Sequence, residues 1–336
     1  MSYNPTILDV ARLAGVSKST ASRALANSDL ISATTKMKVL NAAKQINYHP
    51  NAIAKSLSNA KTNNVGIVIP SQHEGDDFYS NHFFQNALRG ASLVANQYGY
   101  DIVLSAGNND EFEVIERLVN QKKVDGLILM RTYRNESSLK KLVKTKIPFV
   151  VIGSPDLSGG FLKVDTDNRA AMYDLSTFLL DRCDGRLGYI TADITLKATE
   201  LRLMGYRMAL EAKGMAYDEA LVAISRNHVQ WDSVLRQLTE VTKQCSAVIA
   251  SDTQTFIYLL DYCKAHQIKI PDNLKIASFN NSALAEHYYV PITAIDVAEN
   301  SLGHVACELL IKHINGEDIP QSLIVPHAII QRASTL

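Results

Sequence analysis

The apolar positions near the N-terminus recur at the spacing of helix faces. Thr6 and Asp9 have the spacing of a capping box, and the apolar residues after them line one side of a short helix that Gly15 can close. Ser17 is a good N-cap for a second helix, and Ser32 is a good N-cap for a third. The pattern therefore predicts three helices, of which the first two are joined by a tight turn.

Short β-branched runs alternate with helical stretches over the remainder of the chain. The predicted strands are 65–70, 101–105, 124–130, 148–153, 187–191, 247–251 and 275–279. The predicted helices are 83–97, 111–121, 137–144, 169–180, 199–213 and 253–265. Such alternation indicates parallel sheets with helices on both faces. Because about 270 residues exceed one comfortable doubly wound domain, we expect two lobes.

Two short helices joined by a tight turn form a helix-turn-helix, although an ordinary helical hairpin has a similar pattern. In a helix-turn-helix the N-terminal residues of the second helix enter the major groove of DNA. The candidate readers of bases and phosphates are Lys18, Ser19, Ser22 and Arg23. After the third helix, which Pro50 ends, residues 51–58 are too few to form a stable helix alone. We expect this segment to fold only when a partner orders it.

This region resembles the lactose/galactose repressor (LacI/GalR) family of bacterial transcription regulators. The resemblance rests on Thr6-x-x-Asp-Val-Ala-x-x-Ala-Gly-Val-Ser17, on Asn47-Tyr-x-Pro-Asn51, and on a hinge with Ala54 and Leu57. In that family the hinge folds to a helix on operator DNA and wedges a leucine between base steps, and Leu57 matches that leucine. The implied DNA-binding residues are Ile7, Ser17, Lys18, Ser19, Thr20, Ser22, Arg23, Tyr48, Asn51, Ala54 and Leu57.

The distribution of charge agrees with DNA contact at one end of the chain. The 34 basic and 34 acidic residues of the whole chain cancel. Residues 1–61 nevertheless hold eight Lys or Arg against two Asp, a net charge of +6, which leaves 26 basic and 32 acidic residues, or −6, elsewhere. A basic headpiece on an acidic body suits phosphate contact by the headpiece alone.

Several function classes lose support from the sequence. The N-terminus has no signal-peptide pattern and no apolar run approaches the ~18 residues of a membrane span, so we expect a cytoplasmic protein. The four scattered cysteines do not have metal-site or disulfide spacing. Phosphate-binding glycine motifs and the common hydrolase and metalloprotease motifs are also missing. We therefore expect no enzyme activity, no cofactor and no metal.

The body resembles the sugar-sensing domain of the same family, which is built like a periplasmic sugar-binding protein. The matching stretches are 124–129, 147–153, 164–168, 202–206, 249–252 and 291–295. The implied fold is an all-α helix-turn-helix headpiece plus a two-lobed, doubly wound α/β body. The implied divisions are 1–50 (headpiece), 51–62 (hinge helix and linker), 63–182 with 292–322 (lobe 1), and 183–291 with 323–336 (lobe 2).

A sugar site needs planar donors and acceptors for neighbouring hydroxyls and an aromatic face for the ring. Arg202 matches the family arginine that clamps sugar hydroxyls. Asp167 and Asp252 either accept from hydroxyls or cap the helices that follow them, and Trp231 either stacks on the ring or belongs to the core. The complete set of effector candidates is Asn81, Phe83, Tyr133, Asp167, Arg202, Trp231, Ser251, Asp252 and Asn280. Ser251 and Asn280 depart from residues common in relatives, which leaves the identity of the sugar open.

Within the family, three stretches look most like the maltose-operon repressors of Gram-positive bacteria: Asn81-x-Phe-Phe84, 146–153 and 199–206. The implied mechanism is a homodimer on a pseudo-palindromic operator, released when a small saccharide changes the angle between the lobes. The opposite response, in which the effector strengthens DNA binding, is also compatible, because linkage requires only that the effector favour one arrangement of the lobes. Three alternatives stay open: a catabolite-control regulator with a phosphorylated carrier protein as co-repressor, a sugar-transport component, and a cleft enzyme.

Overall fold

The computed structural model describes residues 5–49, 61–69, 82–106, 111–130, 137–155, 157, 159–191, 196–224 and 231–336. The chain forms two compact units, Met1–Thr62 and Asn63–Leu336. Among the effector and DNA-binding candidates, Asn51, Ala54, Leu57, Asn81 and Tyr133 lie outside the described residues. In the described part of the chain, no helix is long and apolar enough to cross a membrane.

The first unit contains the three predicted helices. They are α1 (Ile7–Ala14), α2 (Lys18–Leu25) and α3 (Ala33–Gln45). The Asp9 carboxylate accepts from the Thr6 backbone N–H and hydroxyl at 2.9 and 2.7 Å, which confirms the predicted cap of α1. Gly15 adopts the left-handed conformation that ends α1, with φ 66°. The Ser17 hydroxyl accepts from the Thr20 N–H, so α2 begins where the sequence predicts.

The second unit contains two six-stranded sheets with helices around them. The first sheet has the order β11-β5-β4-β3-β1-β2 and the second has the order β12-β10-β9-β8-β6-β7. The strands are β1 (Asn64–Ile69), β2 (Asp101–Ala106), β3 (Gly126–Leu129), β4 (Phe149–Ile152), β5 (Leu162–Asp165), β6 (Arg186–Thr191), β7 (Val222–Ile224), β8 (Cys245–Ala250), β9 (Lys275–Ser278), β10 (Thr293–Asp296), β11 (Ser322–Ile324) and β12 (Ala328–Ile330). Among these described strands, all pairings are parallel except that of β12 with β10.

Helices follow most strands, as parallel sheets require. They are α4 (His82–Gln97), α5 (Glu111–Asn120), α6 (Ser137–Leu142), α7 (Asn168–Leu180), α8 (Lys197–Ala212), α9 (Trp231–Gln244), α10 (Thr253–Ala265), α11 (Ala283–His287) and α12 (Glu299–Ile314), with short 3-10 turns at Glu219–Leu221 and Ala333–Thr335. Each sheet is covered on two faces by its own buried apolar clusters. The two sheets with their helices define lobe 1 and lobe 2.

The chain passes between the lobes three times, at places that differ from the sequence-based expectation. The lobe divisions implied by the family resemblance put these crossings at 182/183, 291/292 and 322/323. In the structure α7 packs in the core of lobe 2, so the first crossing lies before this helix, between β5 and α7. The second lies between β10 and α12 and the third between β11 and β12, because β10 and β12 pair within the second sheet. The predicted lobe bounds are corrected accordingly.

In lobe 1, α4 and α12 pack with their backbones in direct contact. A Cβ atom on Gly303 would overlap the carbonyl oxygen and Cα of Ala87, and one on Gly90 would overlap the carbonyl oxygen of Asn300. Glycine at both positions therefore permits this packing distance, because backbone atoms cannot move aside as a side chain can. The two helices therefore meet backbone to backbone at Gly90 and Gly303.

We predict that Gly303→Ala lowers the free energy of unfolding by about 1–3 kcal/mol, because α12 must move away from α4. Gly160→Ala is the matched control, since no atom lies within 4 Å of the Cβ it would add. That control is expected to change stability by less than about 0.5 kcal/mol. Thermal unfolding monitored by circular dichroism compares the two, and equal midpoints would contradict the close-packing account.

Candidate functional site

The exposed side of α2 carries the residues expected to read DNA. Lys18, Ser19, Ser22 and Arg23 are all exposed, whereas Ala21 and Ala24 on the opposite side are buried in the headpiece core. The side chains of α2 that do not pack in the headpiece core are thus exposed and can enter a groove of DNA. This arrangement is the one a recognition helix requires.

The other headpiece candidates have structural contacts as well. The Ser17 hydroxyl lies 2.8 Å from the hydroxyls of Ser19 and Thr20, within the cap of α2. Ile7 and Tyr48 are partly buried against the headpiece core, and the Tyr48 N–H donates to the Ala43 carbonyl at 2.8 Å. Ser17 therefore caps α2, and Ile7 and Tyr48 contribute to the core against which α2 packs.

Arg202 lies at the centre of a polar cluster in lobe 2 that also contains Asn168 and Ser251. Its Nε donates to Asn168 Oδ1 at 2.9 Å, and its Nη1 donates to the Ser251 carbonyl at 2.7 Å. The guanidinium also stacks on the Phe279 ring, 3.8 Å from the ring centroid. These three contacts come from the ends of three different elements, so the fold holds the planar head group in one orientation.

The sequence identified Arg202, Ser251 and Asn280 as parts of one site, and the structure brings them together. Ser251 follows β8, Phe279 and Asn280 follow β9, and β8 and β9 are neighbouring parallel strands. Their carboxyl ends therefore lie at the same edge of the second sheet, which is where ligands bind in open α/β folds. Ser251 and Asn280 are both buried, whereas Arg202 retains partial exposure.

Asp252 and Asp167 both act as helix caps. Asp252 accepts from the Thr255 N–H at 2.9 Å and from the Ser251 hydroxyl at 2.8 Å. Asp167 is exposed and accepts from the Ala170 N–H at 3.0 Å at the start of α7. The capping alternative is thus realised at both positions, and Asp252 is also among the acids that act electrostatically on Arg202.

Two candidates from the sequence lie away from this cluster or are incompletely described. Phe83 is partly buried against the lobe 1 core, and its ring meets that of Phe84 edge-on at 5.4 Å. Trp231 begins α9, but its side chain lies outside the described residues.

A buried carboxylate joins the lobes next to this cluster. Glu299 is the first residue of α12 in lobe 1 and is 6% exposed. Its Oε1 accepts from Asn280 Nδ2 of lobe 2 at 2.6 Å, and its Oε2 accepts from Asn86 Nδ2 of lobe 1 at 2.8 Å. Sequence reasoning missed both Glu299 and Asn86, because no local motif surrounds either residue.

Asp165 occupies the first crossing and shapes the electrostatics of the site. Its carboxylate accepts from the Ser154 hydroxyl at 2.7 Å and from the Thr166 N–H at 2.8 Å. Burial raises the pKa of Asp165 to about 6, although these hydrogen bonds and Arg202 oppose the shift. Burial also lowers the pKa of Arg202, and Asp252, Asp165 and Glu299 oppose that change.

Two buried hydroxyls on β6 extend the polar region. Tyr189 and Thr191 are fully buried and lie two residues apart, so their side chains share one face of the strand. Burial raises the pKa of Tyr189 to about 12, so its phenol stays a neutral donor. The hydroxyls of Thr191 and Ser251 and the Arg202 cation all act on the Tyr189 phenol against this shift, so this face of β6 belongs to the polar region around Arg202.

Two family models match the chain. The model for bacterial regulatory proteins of the lacI family matches residues 6–51, and the model for a periplasmic binding protein-like domain matches residues 179–335. The HTH-type transcriptional regulator MalR of Streptococcus pneumoniae is 31% identical over 337 residues, which cover 97% of this chain and 99% of that protein. Catabolite control protein A of Staphylococcus xylosus is 29% identical over 334 residues, covering 98% and 99%.

Solved structures are also similar to this chain over nearly its whole length. The transcriptional regulator CelR–cellobiose complex matches with a TM-score of 0.73 and 27% identity, over 98% of this chain and 100% of that one. The lac repressor dimer bound to operator and the anti-inducer ONPF matches with a TM-score of 0.83 over 99% and 100%, and at 17% identity it shows the shared fold.

A helix-turn-helix headpiece together with a two-lobed, periplasmic-binding-protein-like body defines a DNA-binding transcriptional regulator. The chain belongs to the LacI family of bacterial regulatory proteins. Its relatives are regulators of the MalR and catabolite control protein A types from Gram-positive bacteria, and the family consists of transcriptional regulators. The fold class and the family expected from the sequence are confirmed.

The pKa of Asp165 generates a pH prediction. A folded-state pKa of about 6 lies above the ~3.9 of an unfolded aspartate, so the folded chain binds the proton more tightly. The contribution of Asp165 to the free energy of unfolding is therefore favourable at low pH and declines as pH rises from about 4 to about 6. Asp165→Asn removes this decline, so the variant should gain stability relative to the parent between about pH 4.5 and pH 7. Thermal unfolding of the parent and of Asp165→Asn, measured at about pH 4.5 and about pH 7, checks this. A difference in unfolding midpoint that is the same at both pH values would contradict it.

Proposed function

We propose that the protein is a homodimeric transcriptional repressor whose affinity for operator DNA is controlled by a small saccharide, a maltose-type sugar being favoured, bound between the lobes. The observation that carries the proposal is the orientation of Arg202 by Asn168, Ser251 and Phe279 at the carboxyl ends of the lobe 2 strands. In open α/β sheets this edge is the usual ligand site.

The chemistry of the cluster suits a sugar. A guanidinium has five N–H donors, and the hydrogen bonds to Asn168 and Ser251 occupy two of them within the described residues. The remaining donors are held in a plane that matches neighbouring hydroxyls. Asp252, Asp165 and Glu299 surround this cation, so the local charge favours an uncharged saccharide over a sugar phosphate.

The names of the relatives support the same effector class. MalR regulators of Streptococcus pneumoniae and Staphylococcus xylosus are 31% and 28% identical to this chain over nearly its full length. The CelR structure at 27% identity is a complex with cellobiose, another disaccharide. These relatives favour a disaccharide of glucose as the first effector to test.

For the DNA side we propose that the exposed residues of α2 enter the major groove of each half of a pseudo-palindromic operator. Lys18, Ser19, Ser22 and Arg23 provide the contacts to bases and phosphates, and the +6 charge of residues 1–61 provides the attraction to the duplex. The hinge segment 51–62, with Leu57 as the wedge in the minor groove, belongs to the same proposal on the basis of sequence.

The two sites are coupled through the arrangement of the lobes. A saccharide that binds one arrangement more tightly shifts the population toward it, and the change in lobe angle separates the paired hinges and releases DNA.

The similarity to Catabolite control protein A, 30% identical in Streptococcus mutans, supports a second candidate function. In that function a phosphorylated carrier protein, rather than a sugar, acts as the co-repressor.

We predict that Arg23→Ala and Arg202→Ala separate the two activities. Arg23→Ala removes a contact to base or phosphate and should weaken operator binding about 10- to 100-fold, while maltose binding stays unchanged. Arg202→Ala removes the sugar clamp and should weaken maltose binding at least about tenfold, while operator affinity without sugar stays unchanged. Fluorescence anisotropy measures the first property and isothermal titration calorimetry the second.

Matched controls exist for both variants. Lys140→Ala removes an exposed positive charge from α6 in the body and should leave operator binding intact. Arg207→Ala removes an arginine from the same helix as Arg202, stacked at 4.1 Å on the Tyr217 ring, and should leave maltose binding intact. Parental operator affinity in Arg23→Ala, or a parental maltose response in Arg202→Ala, would contradict the assigned sites.

A further inference from the structure

The side-chain amide of Asn280 has a fixed orientation. Asn280 follows β9 directly after Phe279, the ring on which Arg202 stacks, and is 5% exposed. Its Nδ2 donates to Glu299 Oε1 at 2.6 Å. Because Nδ2 and Oδ1 are bonded to the same carbon, a fixed Nδ2 also fixes the direction of Oδ1. Within the described residues, Oδ1 of Asn280 accepts no hydrogen bond.

Glu299 can fix this amide because both of its oxygens accept hydrogen bonds. One oxygen accepts from Asn280 and the other from Asn86 of α4 at 2.8 Å. A carboxylate is an acceptor at both positions, whereas the amide of glutamine would face one of these two N–H groups with an N–H of its own. The pair of asparagine donors therefore specifies an acid at position 299.

The backbone around Glu299 gives the carboxylate a defined position. Ala298, the residue before α12, adopts a left-handed conformation with φ 51°, and its N–H donates to Asp296 Oδ1 at 2.7 Å. This conformation costs about 1 kcal/mol for a residue with a Cβ, so the surrounding contacts must hold it. The backbone contact of Gly303 with α4 fixes the same helix one turn further along.

We propose that Glu299 is a positioning residue of the effector site. By engaging the Asn280 amino group, it makes Asn280 present only its carbonyl oxygen, so that this asparagine acts as a hydroxyl acceptor, as a carboxylate would. Asn280 directly follows Phe279, the ring on which Arg202 stacks, so this acceptor and the donors of Arg202 can serve neighbouring hydroxyls of one uncharged saccharide. This inference rests on the proposed function, because it concerns how the same site recognises the hydroxyls of its saccharide.

The test exchanges the two side-chain chemistries in three variants: Asn280→Asp, Glu299→Gln and the double variant. Asn280→Asp alone places two carboxylates in contact and should weaken maltose binding about tenfold or more. Glu299→Gln alone leaves the amides of residues 280 and 86 competing for one oxygen and should weaken maltose binding about tenfold. In the double variant, the new amide at position 299 donates to the new carboxylate at position 280 and accepts from Asn86. Maltose binding should then return to within about threefold of the parent.

Calorimetric titration with maltose and with cellobiose measures these affinities, and thermal unfolding verifies that each variant is folded. Glu308→Gln is the matched control, because Glu308 lies on the same helix but pairs with Lys312 at 2.8 Å outside the cluster. It should bind sugar like the parent.

Two results would overturn the inference while leaving the proposed function standing. The first is a double variant that binds sugar no better than Asn280→Asp, and the second is parental affinity in Glu299→Gln. A parent protein that binds neither maltose nor cellobiose would overturn the proposed function and, with it, the inference. That failure is visible in the parent alone, so the two kinds of failure are distinguishable.

Discussion

Hydrogen bonds tie down all three chain crossings, and those of Glu299 join the two lobes next to the candidate site. At the first crossing, Thr166 donates through its hydroxyl to the Val297 carbonyl of the second crossing at 3.1 Å. Glu299 begins the helix that follows the second crossing and bridges the lobes through Asn280 and Asn86. At the third crossing, His327 lies 2.8 Å from Asp174 of α7.

The apolar cores, by contrast, belong to one lobe each. The clusters on both faces of the first sheet contain residues of lobe 1, and those of the second sheet contain residues of lobe 2. A ligand between the lobes can therefore change their angle without disturbing either core, which is the physical basis of hinge closure. The polar cluster around Arg202 and Glu299 contains residues of both lobes, so a change in lobe angle would alter its contacts.

Local chemistry explains which parts of the structure could be predicted. The caps at Thr6, Gly15 and Ser17 depend on residues three positions apart or fewer, and all three are confirmed. The lobe that α7 joins was predicted wrongly, because the pattern of apolar residues along a helix does not say which sheet the helix packs against. Arg202 and Asn280 were named as effector candidates and stay predictions, whereas the hydrogen bonds of Glu299 were not foreseen. Its partners are 19 and 213 residues away, so only the folded chain brings them together.

The most direct test of the central claim is a titration of the intact protein on its own promoter. Fluorescence anisotropy with DNA from the region beside its gene would follow operator binding, with and without maltose, cellobiose, glucose 6-phosphate and other sugars. We expect tight binding that an uncharged disaccharide abolishes and that the sugar phosphate leaves unchanged. Tight binding that no small molecule alters would contradict sugar control and favour a protein co-repressor.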